Sequence, residues 1–354
     1  MDKIKFSEIF EYQKKSKIKA GEGLKLNKGK YPLYTSSKKL SKSFDEYLFS
    51  NTSLVFGTGG LASIHYINEK FAVSTDCLVA QVKEEEKENV LIKHVYYYLS
   101  GNIHLLEEGF KGAGLKHISR NFINDLKIPL PPLAEQKRIA AILDEADKLR
   151  QLDKQILKNY DTLSQSLFLD MFGDPVTNPM GWETKKFGEF SHLKAGKFVT
   201  ASEIASDQDS GMYPCYGGGN GLRGYVESFT HEGVYVLIGR QGALCGNVKI
   251  VEGVFHATEH AIVCSPKMDY NAQWLYYLLY LSNLNKYATG AAQPGLNVGK
   301  LVELSFMFPP IDLQTEFVQR IQAIEAQKKL ASAAADKSES LFQALLQKAF
   351  KGEL

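Results

Sequence analysis

Two short motifs in the second half of the chain combine residue types that carry out chemistry in other proteins. The first, His256-Ala257-Thr258-Glu259-His260, fits H-x-x-E-H, in which two imidazoles hold zinc when both lie on one face of a helix. Here the motif lies between Val254-Phe255 and Ala261 to Cys264, which are strand-like runs, so alternate residues would point to opposite faces. The sequence therefore favours a strand or turn over a zinc site.

The second motif, Gly219-Asn220-Gly221-Leu222-Arg223-Gly224, fits the dinucleotide fingerprint G-x-G-x-x-G. That fingerprint needs a helix directly after it, because the phosphates bind at the helix N-terminus. A strand-like run, Tyr225 to Phe229, follows instead and predicts a tight turn or exposed loop. The sequence also lacks a phosphate-binding G-x-x-x-x-G-K-[ST] loop, a G-x-S-x-G nucleophile motif and the N-P-P-[YF] or D-P-P-Y loop of amino-methyltransferases; Asn178-Pro179-Met180 lacks the aromatic residue. We therefore expect no catalysis by this chain.

Composition and length indicate what kind of domains must position any functional residue. A chain of 354 residues with 44% hydrophobic and 23% charged residues is typical of about two globular domains. No apolar run approaches the roughly 18 residues of a membrane span, and the N-terminus lacks a signal-peptide core, so we expect a cytoplasmic protein. The four cysteines form no C-x-x-C pair and are expected to be reduced and buried.

Charge differs between the two halves of the chain. Residues 1–42 contain twelve lysines against four acidic residues, whereas residues 174–312 contain ten basic and thirteen acidic residues. A clustered basic surface is the electrostatic signature of nucleic-acid binding, although a lysine cluster is also compatible with a solvated surface. An electrostatic argument for nucleic acid thus applies to the first half and fails for the second.

The sequence repeats itself. Leu126 to Gln136 matches Leu304 to Gln314 at an offset of 178 residues, and in both copies a strand-like run reaches Pro-Pro and a helical pattern follows. Further upstream, Val55 to Gly60 resembles Leu237 to Gly242 at an offset of 182 residues. Such repetition predicts two copies of one unit, each a mixed globular region followed by a long helix. The turn-rich segment 173–181 would link the copies.

Both long helices carry a seven-residue repeat. The first helix would comprise residues 134–172 and run about 58 Å. Its repeat predicts a coiled-coil contact through Ile142, Leu149, Ile156 and Leu163, with Ala146, Leu152, Tyr160 and Leu167 beside them. On the second it predicts Phe317, Ile324, Ala331, Ser338 and Leu345, whose small central residues would allow a close approach. We expect the helices to pack on each other within the chain; two separate dimerisation helices are the alternative.

These features resemble a known family. Pro131 to Asp144 (PPLAEQKRIAAILD), Ser166 to Pro175 (SLFLDMFGDP) and the ending Ala349 to Leu354 (AFKGEL) are similar to specificity subunits of type I restriction-modification systems. The resemblance covers essentially the whole chain. The second copy departs from the P-P-L-x-E-Q signature at Asp312 and Leu313, which weakens the motif there.

The resemblance implies an α+β fold in which two mixed α/β target recognition domains, 1–132 and 174–310, alternate with helical regions, 133–173 and 311–354. The helices would pack as an antiparallel coiled coil in a pseudo-two-fold repeat, and their length would set the spacing between DNA half-sites. It also implies a non-catalytic chain that reads a bipartite, asymmetric double-stranded DNA site. Two modification subunits that methylate adenine N6, and restriction subunits, would be its partners. No cofactor is expected on this chain, and S-adenosylmethionine and ATP are expected on the partners.

For a DNA-reading chain, polar side chains on glycine-rich loops are the candidate contacts. Arginine suits guanine, asparagine or glutamine suits adenine, and lysine mainly meets phosphate. The candidates in the first domain are Lys38, Lys39, Lys42, Thr58, Ser63, Lys116, His117 and Arg120. The candidates in the second domain are Asn220, Arg223, Arg240, Gln241, Gln293, Asn297 and Lys300.

Two other functions are compatible with parts of the sequence. A coiled-coil interaction scaffold without DNA recognition is favoured slightly by the acidic balance of the second half. A self-contained DNA enzyme is the other, and it lacks a visible catalytic loop.

Overall fold

The computed structural model of the chain describes residues 3–290 and 294–354. It divides into two compact units, of which unit 1 comprises Met1–Lys154 with Ser332–Leu354 and unit 2 comprises Gln155–Ala331. Each unit therefore contains one globular region together with part of each long helix. Within the described ranges, no helix is long and apolar enough to cross a membrane.

The globular part of unit 1 combines short strands and helices. Its strands are β1 (Lys3–Lys5), β2 (Phe10–Tyr12), β3 (Leu24–Lys25), β4 (Tyr31–Tyr34), β5 (Lys42–Phe44), β6 (Ser53–Gly57), β7 (Ser63–Ile67), β8 (Ala72–Val73), β9 (Cys77–Val82) and β10 (Lys127–Pro129). Its helices are α1 (Phe6–Ile9), α2 (Ile92–Gly101), α3 (His104–Glu107) and α4 (Arg120–Asn124), and the long helix α5 (Leu133–Phe172) follows. The strands form two four-stranded sheets, in the orders β2-β9-β6-β7 and β3-β5-β4-β8, and the pair β1-β10.

Unit 2 repeats this pattern with longer strands. Its strands are β11 (Thr184–Lys186), β12 (Ser191–Ala195), β13 (Tyr213–Tyr216), β14 (Leu222–Val226), β15 (His231–Gly239), β16 (Val248–Ala257), β17 (Ala261–Pro266) and β18 (Ser305–Met307). Its helices are α6 (Phe187–Phe190), α7 (Ala272–Leu281), α8 (Val298–Leu301) and the long α9 (Ile311–Lys351). The main sheet has the order β12-β17-β15-β16-β13-β14.

The two units share their strand order, although β3 has no counterpart in unit 2 and one further difference separates their sheets. The parallel pair β4-β8 joins Leu33 to Ala72 in unit 1, and the parallel pair β13-β16 joins Cys215 to His256 in unit 2. In unit 2 the single strand β16 also pairs with β15, whereas unit 1 divides that length between β7 and β8. One continuous sheet in unit 2 thus corresponds to two sheets in unit 1, and the predicted repeat is confirmed in the fold.

A buried glutamine begins each long helix. The Oε1 atom of Gln136 accepts from the Leu91 amide at 2.9 Å, and its Nε2 donates to the Pro131 carbonyl at 2.8 Å. Gln314 repeats both contacts, since its Oε1 accepts from the Asn271 amide and its Nε2 donates to the Pro309 carbonyl, each at 2.9 Å. The glutamine of the repeated signature therefore attaches the start of the helix to the segment before α2 or α7 and satisfies otherwise orphaned backbone groups.

Within each unit the long helices pack antiparallel. In unit 1, Arg138 donates to the Leu354 carbonyl at 2.6 Å and Arg150 pairs with Glu339 at 3.1 Å, so rising numbers on α5 meet falling numbers on α9. In unit 2, Lys328 pairs with Asp161 at 2.7 Å. Buried apolar residues line these contacts: Ile139, Leu143, Ala146, Phe342, Leu346 and Ala349 in unit 1, and Phe168, Phe172, Phe317 and Ile321 in unit 2. The predicted antiparallel helix pairing is confirmed.

The prediction of which α5 residues form that contact is wrong in part: Ala146 is buried in it and Leu167 packs against it, but four other predicted residues lie outside it. Leu149, Leu152, Ile156 and Leu163 are 42–52% exposed. At these four positions the face in contact lies one residue further along, and it includes the half-buried Arg150 and the buried Ser164. The physical reason is that ion pairs occupy the middle of the contact, which leaves the apolar repeat of α5 facing outward. On α9 the predicted residues are buried or half-buried, from Phe317 to Leu345.

Candidate nucleic-acid interface

Three loops of unit 1 meet at one edge of its strands. We call them loop A (35–41, after β4), loop B (58–62, between β6 and β7) and loop C (111–118). Loops B and C are joined by backbone hydrogen bonds, because Gly60 donates to the Lys116 carbonyl at 3.0 Å and Ile118 donates to the Thr58 carbonyl at 3.1 Å. Exposed side chains on these loops are thus carried on a braced backbone.

Unit 2 builds the same arrangement from loop A (217–221), loop B (240–247) and loop C (288–297, without 291–293). Gly242 donates to the Pro294 carbonyl at 2.9 Å and Leu296 donates to the Arg240 carbonyl at 2.8 Å. These bonds correspond one to one with those of unit 1. The loops that the repeat identifies in sequence therefore share a backbone framework in space.

Loop A lies directly against the end of a central strand in both units. A Cβ atom added at Gly57, the last residue of β6, would lie 2.7 Å from Cα of Ser36. A Cβ added at Gly239, the last residue of β15, would lie 2.6 Å from the Gly218 carbonyl oxygen. Glycine is therefore required at both positions so that loop A can approach loop B.

Five of the predicted residues of unit 1 are exposed, namely Lys38, Lys39, Lys116, His117 and Arg120. Four of them lie on loops A and C, while Arg120 begins α4 and stacks its guanidinium 4.7 Å from the centre of the Tyr12 ring. The backbone bonds between loops B and C hold His117 beside Gly59. The structure thus brings together the lysines and the histidine that the sequence placed far apart.

The other three predicted residues of unit 1 use their polar atoms inside the protein. Ser63 is 4% exposed and donates through Oγ to the Ser36 carbonyl at 3.2 Å. Lys42 lies on β5 and donates through Nζ to the Ala20 carbonyl at 2.6 Å. Thr58 donates through Oγ1 to the Asp76 carbonyl at 2.9 Å. Because the polar atoms of these three side chains are bonded within the protein, they are not among the proposed DNA contacts.

In unit 2, Asn220, Arg223 and Gln241 line a concave surface of about 600 Å³ between loops A and B. Arg240 is half-buried and donates through Nη1 to the Glu259 carbonyl at 3.4 Å. Asn297 accepts from the Gly299 amide at 2.8 Å through Oδ1 as the N-cap of α8, which carries the exposed Lys300. Gln293 lies outside the described residues.

Two kinds of residue in these loops were missed by sequence reasoning. Leu61 and Leu115 are 72% and 68% exposed on loops B and C of unit 1, and apolar side chains at such positions suit contact with thymine methyl groups. His65 and Lys249 lie beneath loop A and bond to its backbone. The leucines could not be found because they carry no polar group. The half-buried His65 and the buried Lys249 could not be found because their bonds join segments far apart in the chain.

Burial shifts the ionisation of both residues beneath loop A. Burial lowers the pKa of Lys249 to about 8, and it lowers the pKa of His65 below its ordinary value. A neutral imidazole must carry its proton on Nε2 in order to donate to the Ser37 carbonyl at 3.0 Å. At neutral pH, Lys249 is therefore a cation and His65 is neutral.

Neither enzyme-like motif has the geometry that its chemistry needs. His256 is 4% exposed at the end of β16, where its ring nitrogens face the carbonyls of Ser228 and Lys197 at 2.9 and 3.3 Å. His260 lies beyond the strand end. The glycine motif leads into strand β14. In the part of the chain that the structure describes, no cluster of three or more His, Cys, Asp or Glu residues could hold a metal ion.

Comparison with known proteins supports the two-copy architecture. The family model described as "Type I restriction modification DNA specificity domain" matches residues 1–159 and again residues 179–335. The chain is 34% identical to the type I restriction enzyme EcoprrI specificity subunit of Escherichia coli over 276 residues, which is 75% of this chain and 67% of that protein. It is 23% identical to the MjaVIII specificity subunit of Methanocaldococcus jannaschii over 78% of this chain and 72% of the relative.

A solved structure shares the fold. The type I restriction-modification S subunit from M. genitalium superposes with a TM-score of 0.64 at 17% identity, over 98% of this chain and 95% of that one. Two copies of a specificity domain joined to long antiparallel helices define a class of DNA-recognition proteins rather than enzymes. The chain belongs to the family of type I restriction-modification DNA specificity subunits, which recognise sequence and do not catalyse.

Proposed function

We propose that this chain reads a bipartite, asymmetric double-stranded DNA site, with one half-site for the loops of each unit. The observation that carries the proposal is the shared loop framework with different side chains. The same backbone hydrogen bonds join loops B and C in both units, while the residues displayed on the loops differ. One framework with two sets of side chains suits recognition of two different sequences.

The two sets of side chains suit different parts of DNA. Lys38, Lys39 and Lys116 in unit 1 are flexible point charges that suit phosphate oxygens. Asn220, Arg223 and Gln241 in unit 2 carry planar donors and acceptors that match adenine and guanine edges in the major groove. Unit 1 would thus contribute more of the electrostatic affinity and unit 2 more of the base discrimination.

We also propose that two modification subunits and restriction subunits bind this chain. What supports this is the exposed apolar part of α5, with Leu149 and Leu152 in unit 1 and Ile156 and Leu163 in unit 2. Such side chains gain about 25 cal/mol per Å² when a partner covers them. The modification subunits would carry S-adenosylmethionine and methylate adenine N6, ATP would bind the restriction subunits, and the assembly would act in the cytoplasm.

The salt dependence of binding tests the proposal. The chain, purified with its partner subunits, is titrated with a labelled duplex over a series of salt concentrations. The logarithm of the association constant should fall linearly with the logarithm of the salt concentration, with a slope near −0.9 for each phosphate contacted. A flat response would contradict DNA recognition and favour the protein-interaction scaffold.

A further inference from the structure

One basic side chain supports loop A from the same position in each unit. The strand register places Lys249 opposite Leu237 in unit 2 and His65 opposite Val55 in unit 1. Leu237 and Val55 are equivalent in the sequence repeat. Lys249 and His65 therefore occupy one structural position, although they differ in chemistry and lie in segments whose sequences do not align visibly.

In unit 2 the ammonium of Lys249 is bound by the backbone of loop A. The Nζ atom donates to the Gly217 carbonyl at 2.7 Å and to the Gly219 carbonyl at 2.5 Å, and it lies 5.2 Å from the centre of the Tyr216 ring. The residue is only 9% exposed. A buried cation loses its hydration, and here the carbonyls of loop A replace the lost water. The hydrogen bonds to the ammonium therefore stabilise this conformation of loop A.

In unit 1 the imidazole of His65 makes the equivalent contact. Its Nε2 donates to the Ser37 carbonyl at 3.0 Å, and its ring lies 5.0 Å from the ring of Tyr34. Tyr34 and Tyr216 are the last residues of equivalent strands, β4 and β13, and Ser37 and Gly219 are each the third residue after them. The same backbone carbonyl of loop A is thus held from below in both units.

The exposed side chains of loop A directly follow this carbonyl in the sequence. Lys38 and Lys39 follow Ser37, and Asn220 follows Gly219. All three are exposed. Because the side chain of the next residue takes its direction from the peptide plane that the supporting residue holds, a change in that hydrogen bond redirects the exposed residue without removing it.

We propose that Lys249 and His65 are positioning residues, each of which fixes the conformation of loop A and thereby the base preference at one half-site. The inference rests on the proposed function, in which loop A meets DNA. Neither residue touches DNA in this account; each acts through the exposed residues of its loop. The use of a cation in one unit and a neutral ring in the other makes the two half-sites respond differently to pH.

The groups around each residue define that response. Lys249 faces the thiol of Cys215 and the phenol of Tyr216, and burial raises the pKa of both above their ordinary values, so Lys249 begins to lose its charge before either group gains one. Lys249 loses its charge as pH passes about 8. In unit 1, burial raises the pKa of Tyr34 and lowers that of His65, so His65 is already neutral at pH 7 and Tyr34 ionises later than an ordinary tyrosine.

The test uses the assembled complex and three variants. Lys249→Met removes the donor in unit 2, His65→Phe removes it in unit 1 while retaining a ring beside Tyr34, and Lys267→Met is the matched control. Lys267 also donates to a glycine carbonyl, that of Gly188 at 2.6 Å, but it is exposed and lies outside the loops. Affinities are measured for the native site and for duplexes with a single base changed in one half-site.

The expected result is a crossed pattern. Lys249→Met should lower discrimination about tenfold at one half-site, since a hydrogen bond from a charged group contributes roughly that factor. His65→Phe should lower it about fivefold at the other, since a neutral hydrogen bond contributes less. Lys267→Met should change neither. Wild-type discrimination at the half-site of unit 2 should fall between pH 7 and 9, and Lys249→Met should not show this fall.

Three results would overturn the inference while leaving the proposed function standing. These are unchanged discrimination in both variants, an equal loss at both half-sites, or a wild-type preference that stays flat from pH 7 to 9 at both half-sites. The pH series needs no substitution, so it decides the matter even where a variant does not fold. A wild-type complex that shows no sequence preference would instead contradict the proposed function itself.

Discussion

The loops of unit 1 carry Lys38, Lys39, Lys111 and Lys116, whereas the charged residue on the described loops of unit 2 is Arg240 alone. Their backbones nevertheless make the same hydrogen bonds between loops B and C. The bonds that shape the loops are made by main-chain atoms, so side chains can diverge without loss of the framework. Charge and architecture are therefore separable in this protein, and the two half-sites need not be bound by the same kind of contact.

The largest effect should come from removing the unit 1 lysines. Replacing Lys38, Lys39 and Lys116 together by Ala should weaken binding to native and scrambled DNA alike, by roughly a hundredfold at low salt, because lost phosphate contacts carry no sequence information. The slope of log affinity against log salt should become shallower by about 2.7. The matched triple Lys→Arg variant keeps the charge and should keep the slope. An unchanged slope in the Ala variant would place the phosphate contacts elsewhere.

A smaller effect, confined to one half-site, should follow from Arg223→Ala, since Arg223 is the exposed arginine that the proposal assigns to base edges in unit 2. Loss of a bidentate contact to guanine costs about 1–3 kcal/mol of discrimination, while the salt slope should change by about one at most. Competition binding with single-base variants measures this. Arg320→Ala on α9, an exposed arginine paired with Glu316, is the control and should have no effect. Equal losses on all duplexes would make Arg223 a phosphate contact and remove the contrast between the units.

The helical parts of the two units should also differ in their contribution to stability. Arg150 pairs with Asp147 and Glu339 and lies 4.2 Å from the centre of the Phe342 ring, with its side chain 23% exposed. Lys328 in unit 2 makes ion pairs without such stacking and is 31% exposed. Arg150→Ala should lower the free energy of unfolding by about 1–2 kcal/mol and Lys328→Ala by about 0.5 kcal/mol. Denaturant titration of both variants measures the two losses in the free energy of unfolding. A larger loss for Lys328→Ala than for Arg150→Ala would contradict the predicted order.

The smallest effect should appear in acid. Hydrogen bonds from Gln343 and Arg150, together with the charges of Arg150 and Lys154, hold the pKa of Glu339 below its ordinary value. A carboxylate with a lowered folded-state pKa stabilises the protein above its unfolded pKa, and that stabilisation is lost as pH falls through the folded value. Unfolding of Glu339→Gln should therefore depend less on pH below about pH 5 than unfolding of the wild-type chain. Parallel curves would show that this carboxylate does not contribute.

Much of the architecture follows from local sequence. Pro-Pro before an apolar repeat predicts the start of each long helix, and α5 and α9 begin at Leu133 and Ile311. The face of α5 could not be predicted in the same way. Leu149 and Ile156 fit a coiled-coil repeat, yet the contact uses Arg150 because its partner Glu339 lies on the other helix. The sequence repeat of one helix contains no information about the charged residues of the helix that packs against it.

The candidate site, too, could be predicted from sequence only in part. Glycine-rich loops and their polar residues are visible in sequence, and the structure brings loops B and C together through main-chain bonds. The supporting residues could not be found, because His65 meets Ser37 and Lys249 meets Gly217 across long stretches of chain. Ser63 was proposed as a surface residue from its place in a loop, but strand β7 begins there and buries it.

The central claim, that two unlike loop clusters each read one half of a site, is tested most directly by mapping methylated adenines. DNA is taken from cells that carry this chain with its partner subunits and from matched cells without it. We predict a single bipartite motif with two different halves separated by a fixed gap of unspecified bases. A palindromic or continuous motif, or identical methylation in both cell types, would contradict the account.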